Sequence, residues 1–146
     1  MNPIVLDASV AAKWFLPAKD ETLSDEAFRL LRRHAEGEVV FVVPDLFWAE
    51  VANLLWKAVR LGRCTKGAAE TALVSLKERK FPTVSSLALS EAAFGIAVAF
   101  DRTVYDSLYV ALAIDSKGQF VTADERPANA LAARLPVKWL GSMQIE

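Results

Sequence analysis

The chain reads as an α/β protein: a parallel sheet with helices on both faces. Three observations predict this. Ile4, Val5 and Leu6, and then residues 39–43, are apolar runs without alternation, which suits strands buried on both faces. Between such runs lie stretches with the three- and four-residue periodicity of helices. The two patterns alternate along the chain, as parallel strands joined by helical crossovers require.

Taken in order, the first strand ends at Leu6, and Asp7-Ala8-Ser9 leads into a helical stretch over 10–16. Pro17 breaks it. A second helix is predicted over 22–35, with Leu23, Ala27, Leu30 and Leu31 as its apolar stripe and Gly37 at its end. The strand over 39–43 stops at Pro44. Asp45 is placed as the N-cap of a long helix reaching Leu61 and closed by Gly62. Residues 65–79 form another helix. Residues 81–84 read as a short edge strand, given Pro82. The helix over 88–100 takes Ser90 as a candidate cap, and the helix over 104–116 opens with Thr103 and Asp106 at capping-box spacing and ends at Gly118. Residues 119–122 are the next strand, residues 123–125 turn into a last helix, and 137–140 form a final strand.

Composition limits what such a fold does. At 146 residues the chain is expected to be a single domain, 1–146, with a substantial core. No apolar run reaches the roughly 18 to 20 residues of a membrane span, and the first residues lack the basic start of a signal peptide. Cys64 is the only cysteine, which excludes an internal disulfide or a cysteine-built zinc site and fits a reducing, cytoplasmic setting. The net charge of −1 means that any nucleic-acid contact uses a local patch. The apolar fraction of 53% and the aromatics Trp14, Phe15, Phe47, Trp48 and Trp56 are mainly core, but they also suit a homodimer or partner surface.

Four acids stand where such a fold gathers ligands, at strand ends and helix starts on one edge of the sheet. Asp7 and Asp124 each follow a strand, Asp106 lies in a first helical turn, and Glu50 lies early in its helix on the face it shares with Asn53. Singly, each has a structural explanation: Asp7 and Asp124 as helix caps, Asp106 as an acid favoured by the helix dipole, Glu50 as a solvated residue. Together they are candidates for one cavity. There, burial and mutual repulsion raise carboxyl pKa values, and a hard cation such as Mg²⁺ or Mn²⁺ relieves the repulsion. Ser9 and Thr122 are hydroxyls suited to orienting a neighbouring carboxylate. The single histidine, His34, lies on a charged stretch away from the acids and is expected to be solvated.

Residues 5–10, the stretch from Pro44 through Glu50 to Asn53, residues 105–113, and residues 120–126 together resemble the PIN-domain family. More narrowly, they resemble the VapC-type toxins of toxin–antitoxin pairs. The likeness spans nearly the whole chain in the family's order. It implies a three-layer α/β/α sandwich on a five-stranded parallel sheet. It further implies Mg²⁺- or Mn²⁺-dependent endoribonuclease activity on RNA, inhibited by a cognate antitoxin. On that resemblance Asp7, Glu50, Asp106 and Asp124 are the metal and catalytic acids, supported by Ser9, Thr122 and Asn53. Membership of Asp101 and Glu125 is open. A phosphatase of the haloacid-dehalogenase type would want an acid where Ser9 stands. A catalytically silent module binding RNA or protein is the alternative from another class. Basic residues cluster at Lys57, Arg60, Arg63 and Lys66, and again at Lys77, Arg79 and Lys80. These suit either helix C-termini or RNA backbone contact.

Overall fold

A computed structural model describes residues 2–143. Five strands, β1 (Ile4–Leu6), β2 (Phe41–Pro44), β3 (Thr83–Val84), β4 (Gln119–Thr122) and β5 (Val137–Trp139), form one sheet in the order β3-β2-β1-β4-β5. Every pairing is parallel. Val5 and Leu6 of β1 are fully buried, as are Val43 and Val121 on the neighbouring strands, so the unalternating runs reflect burial on both faces. The edge strand β3 tolerates Pro82 because that residue contributes only its carbonyl, which accepts from Val43 N at 3.0 Å.

Seven helices accompany the sheet among the described residues: α1 (Ala8–Ala11), α2 (Ser24–Ala35), α3 (Leu46–Arg60), α4 (Lys66–Glu78), α5 (Ser86–Phe100), α6 (Val104–Asp115) and α7 (Glu125–Leu131). Helix α6 packs on β1, β2 and β4, and α5 lies against α6. Helix α1 packs on α3, and α7 on β5. The result is the α/β/α sandwich.

Several local expectations are corrected. The stretch over 10–16 is not one helix: α1 covers Ala8–Ala11, and Ala12–Trp14 tighten into a 3₁₀ turn. Pro17 disfavours helical geometry at Leu16, so the last turn closes early. Helix α2 begins at Ser24, because Leu23 takes a left-handed conformation with φ of 59°. Asp45 does not cap α3 with its side chain; its carboxylate instead accepts from the Ser86 hydroxyl and from Ser86 N at 3.1 Å, tying β2 to the start of α5. The cap of α5 is Ser85, and Ser90 lies inside the helix. Gly118 ends α6 for a different reason than expected. Lys117 takes the left-handed position, whereas a Cβ at Gly118 would stand 2.2 Å from Pro3 O. That glycine lets β4 run close beside β1.

His34 is also corrected. It is half-buried, stacked on Phe41 at 4.5 Å and edge-on to Phe81 at 5.5 Å. Burial, and then the charge of Arg79, hold its imidazole below the ordinary value. Trp14 and Phe47 are core residues, Trp48 packs on Phe47 and Phe81, and Trp56 is exposed.

Candidate active site

The sheet order places a switch point between β1 and β4: the chain leaves β1 towards β2 and later returns to β4 on its other side. Crevices outside the carboxyl ends of strands at such a point are where open α/β sheets take ligands. A cavity of about 390 Å³ opens there, lined by Asp7, Ser9, Glu50, Asn53, Asp106 and Asp124, with Ala8, Ala49 and Leu54 between them. The four acids arrive from four segments separated by up to more than a hundred residues of chain.

Asp7 is the most constrained. Ser9 Oγ donates to its Oδ2 at 2.8 Å, and Thr122 Oγ1 donates to the same oxygen at 2.7 Å. Each hydroxyl also accepts a backbone N–H from the turn after β4: Ser9 from Ala123 at 3.2 Å, Thr122 from Asp124 at 3.1 Å. With those N–H groups on their lone pairs, both hydroxyls turn their protons to Asp7. Burial pushes the Asp7 carboxyl above the ordinary value, the two hydroxyls oppose that rise, and the Asp106 charge adds to it. Asp7 occupies the N-cap position of α1, but its strongest partners are the Ser9 and Thr122 hydroxyls rather than the helix backbone.

Glu50 is half-buried, and Tyr109 OH donates to its Oε1 at 2.5 Å. Desolvation raises the Glu50 carboxyl, the tyrosine hydroxyl counteracts it, and Asp7 and Asp106 raise it further. Tyr109 is 2% exposed and stacks on Phe120 at 4.9 Å, so the hydroxyl is delivered to Glu50 from the core. Burial and the charges of Asp7 and Glu50 keep that phenol protonated. Tyr109 was missed as a site residue. The signal was present, since Asp106 and Tyr109 are three residues apart on one helical face.

The other two acids are tied to arginines. Arg102 Nη2 lies 3.4 Å from Asp106 Oδ2. Arg126 grips Asp124 with Nε at 3.1 Å and Nη2 at 2.8 Å. Asp124 also caps α7, accepting from Arg126 N at 3.0 Å. The expected rise at Asp124 is therefore reversed: the Arg126 hydrogen bond holds this carboxyl below the ordinary value. Asp106 keeps its place in the first turn of α6, where Thr103 Oγ1 accepts from Asp106 N at 3.1 Å. Asn53 sits at the exposed rim. Neither Asp101 nor Glu125 lines the cavity. Asp101 is the exposed, left-handed residue that closes α5. Among the described residues, no three acids stand close enough to enclose an ion between them.

Comparison with known proteins follows the same lines. The family model for the PIN domain matches residues 4–132. Ribonuclease VapC3 of Pyrobaculum aerophilum is 33% identical over 132 residues, covering 89% of this chain and 95% of that protein. Among solved structures, PAE2754 from Pyrobaculum aerophilum superposes with a TM-score of 0.68 at 24% identity, covering 97% of this chain and 85% of that one. VapBC2 from Rickettsia felis, bound to a DNA fragment from its promoter, gives a TM-score of 0.64 at 13% identity, with coverage of 93% and 97%. At these identities the structural likeness concerns the fold. No helix among the described residues is long and apolar enough to cross a membrane.

Proposed function

The chain belongs to the PIN-domain family, and from that premise we propose that it is a VapC-type endoribonuclease, dependent on Mg²⁺ or Mn²⁺ and restrained by a cognate antitoxin. The observation that carries this reading is the meeting of Asp7, Glu50, Asp106 and Asp124 in one cavity at the switch point of the sheet. The 33% identity to a ribonuclease supports RNA as the substrate. Likeness in fold to a toxin-antitoxin complex from Klebsiella pneumoniae supports the partner. The reading also places the protein in the cytoplasm, as a homodimer. Exposed apolar side chains on α5, Leu87, Phe94 and Val98, offer surface for such an assembly.

The donor set fits a hard divalent cation. It is all oxygen, and two of its members, Asp7 and Glu50, are destabilised in their charged form by burial and by neighbouring carboxylates, Asp106 acting on Asp7, and Asp7 and Asp106 on Glu50. The looser grouping suits an ion that keeps several of its waters, as Mg²⁺ does. Asp7, Glu50, Asp106 and Asp124 would hold it. Bound there, the ion supplies a nucleophile from water near neutral pH and neutralises charge on the attacked phosphate.

The chain's own residues prepare the site. Ser9 and Thr122 fix Asp7, and Tyr109 fixes Glu50, so that two carboxylates are oriented before any ligand arrives. Arg102 and Arg126 pair with Asp106 and Asp124. Asn53 offers an amide at the rim for the sugar–phosphate chain.

The test is RNA cleavage by the purified chain with Mg²⁺ or Mn²⁺ against chelator, alongside Asp7→Asn. Metal-dependent cleavage that disappears in the variant is expected. Equal cleavage by the variant would reject the site. RNA binding without cleavage under any divalent metal would establish the silent module instead. In cells, the chain should arrest growth unless the product of an adjacent small gene is co-expressed.

A further inference from the structure

The acidic cavity continues into a second one of opposite character. About 280 Å³ in volume, it shares Ser9, Leu54 and Asp124 with the first, and its charged wall is Lys13, Glu21, Lys57 and Arg63. Lys13 is built into that wall: its side chain is 8% exposed, and Nζ is held 3.2 Å from Glu21 Oε1. A buried ammonium requires such a partner, and Glu21 engages one of its three donors. None of the ion pairs among the described residues engages Lys57 or Arg63.

The neighbouring cations of the same cluster are disposed differently. The Arg60 guanidinium lies over the Trp56 ring at 5.5 Å, and Lys66 stands 4.0 Å from Glu70. Neither lines the cavity. The shared acid, Asp124, is neutralised by Arg126. A chain with a net charge of −1 thus keeps a concave, cationic recess directly against its acidic one.

We propose that this recess is a subsite for a backbone phosphate of single-stranded RNA, adjacent to the phosphate presented to the four acids, with Lys57 and Arg63 as its contacts and Lys13 as its fixed floor. The inference rests on the ribonuclease reading. An acidic cavity by itself repels a polyanion, so a strand entering it needs a cationic anchor within reach. Contacts of this kind position the strand and read no base, so the subsite affects affinity and register rather than sequence choice.

The test is the salt dependence of binding of a labelled, mixed-sequence single-stranded RNA dodecamer, in chelating buffer so that no strand is cut. Lys57→Gln/Arg63→Gln is compared with Arg60→Gln/Lys66→Gln, which removes the same charge outside the recess. All four positions are helix-surface or loop residues, so both variants should fold. The expected result is weaker binding by the first pair, with a salt slope shallower by about 0.7, the contribution of the one single-strand phosphate that the two side chains share. The second pair should keep the unaltered chain's slope. Equal losses in both pairs would reduce the recess to general surface charge and overturn the proposal, as would no loss in the first. Polyglutamate that depends on Lys57 and Arg63, with RNA binding unaffected, would overturn it in favour of an acidic protein partner. An unaltered chain that binds no RNA in this buffer would likewise overturn the subsite, while the ribonuclease reading stands or falls separately, on metal-dependent cleavage by the unaltered chain.

Discussion

Thr122 Oγ1 donates to Asp7 Oδ2 at 2.7 Å across 115 positions of sequence, joining the ends of the two central strands β4 and β1. The same oxygen accepts from Asp124 N at 3.1 Å, so one buried hydroxyl sets the geometry of two of the four acids. Thr122→Val keeps the shape and removes both bonds. It should lower stability by about 1–3 kcal/mol, as expected when a buried polar group loses its partner. It should also raise the Asp7 carboxyl further, because one of the two hydroxyls opposing its rise is gone. Denaturant unfolding and NMR titration of Asp7 check the two effects. An unchanged Asp7 would show that Ser9 alone suffices.

Tyr109→Phe isolates the second support. The ring and its stacking on Phe120 remain, while Glu50 loses its donor. The Glu50 carboxyl, already raised by desolvation, should rise further. If ionised Glu50 is needed for cleavage, the acid limb of the pH–rate profile moves to higher pH. A profile that stays in place while the rate falls would assign Tyr109 a packing role.

Asp106 separates structure from chemistry. Its dipole contribution is at most about 1 kcal/mol, and its pairing with Arg102 is of the partly exposed kind that contributes about as little. Thr103 still caps α6 through the Asp106 backbone when the side chain is altered. Asp106→Asn should therefore melt near the unaltered protein, yet lose RNA cleavage by about 100-fold or more as the site gives up a charged ligand. Near-normal cleavage by the folded variant would return Asp106 to a helix-start role.

Metal linkage gives a readout without turnover. Mg²⁺ or Mn²⁺ should raise the melting temperature by mass action, and the rise should shrink in Asp7→Asn. An equal rise in both proteins would place the binding elsewhere.

His34 predicts a pH effect away from the site. Its folded-state value lies below the ordinary 6.5, so just under that pH the unfolded chain binds more protons than the native one. The stability it contributes is present above 6.5 and is lost as pH falls through the lowered value. His34→Phe keeps the stack on Phe41 and cannot titrate, so its stability should be flatter with pH across that window. A matching slope in both proteins would trace the effect to another group.

Much of this was legible in the chain because it depends on near neighbours. Ile4–Leu6 and the run ending at Pro44 are apolar without alternation, and a strand covered on both faces leaves no other option. Glu50 and Asn53 share a face by helical geometry alone. Once parallel strands are accepted, acids placed after strands and in early helical turns fall on one edge of the sheet. That is why the sequence alone groups Asp7, Glu50, Asp106 and Asp124, the acids that line the cavity.

What depended on distant neighbours could not be read this way. Charge on a carboxyl is set by what approaches it, so Asp7 and Asp124, alike in sequence position, moved in opposite directions: one buried beneath two hydroxyls, the other gripped by Arg126. Asp45 left its own helix for Ser86, forty-one positions away. His34, surrounded by charge along the chain, found Phe41 and Phe81 across space. The basic cluster from Lys57 to Lys66 looked uniform until folding turned Lys57 and Arg63 towards a recess and Arg60 onto Trp56. Periodicity tells which side of an element a residue occupies, but its electrostatic partner comes from whichever element packs there, and only the assembled fold supplies that.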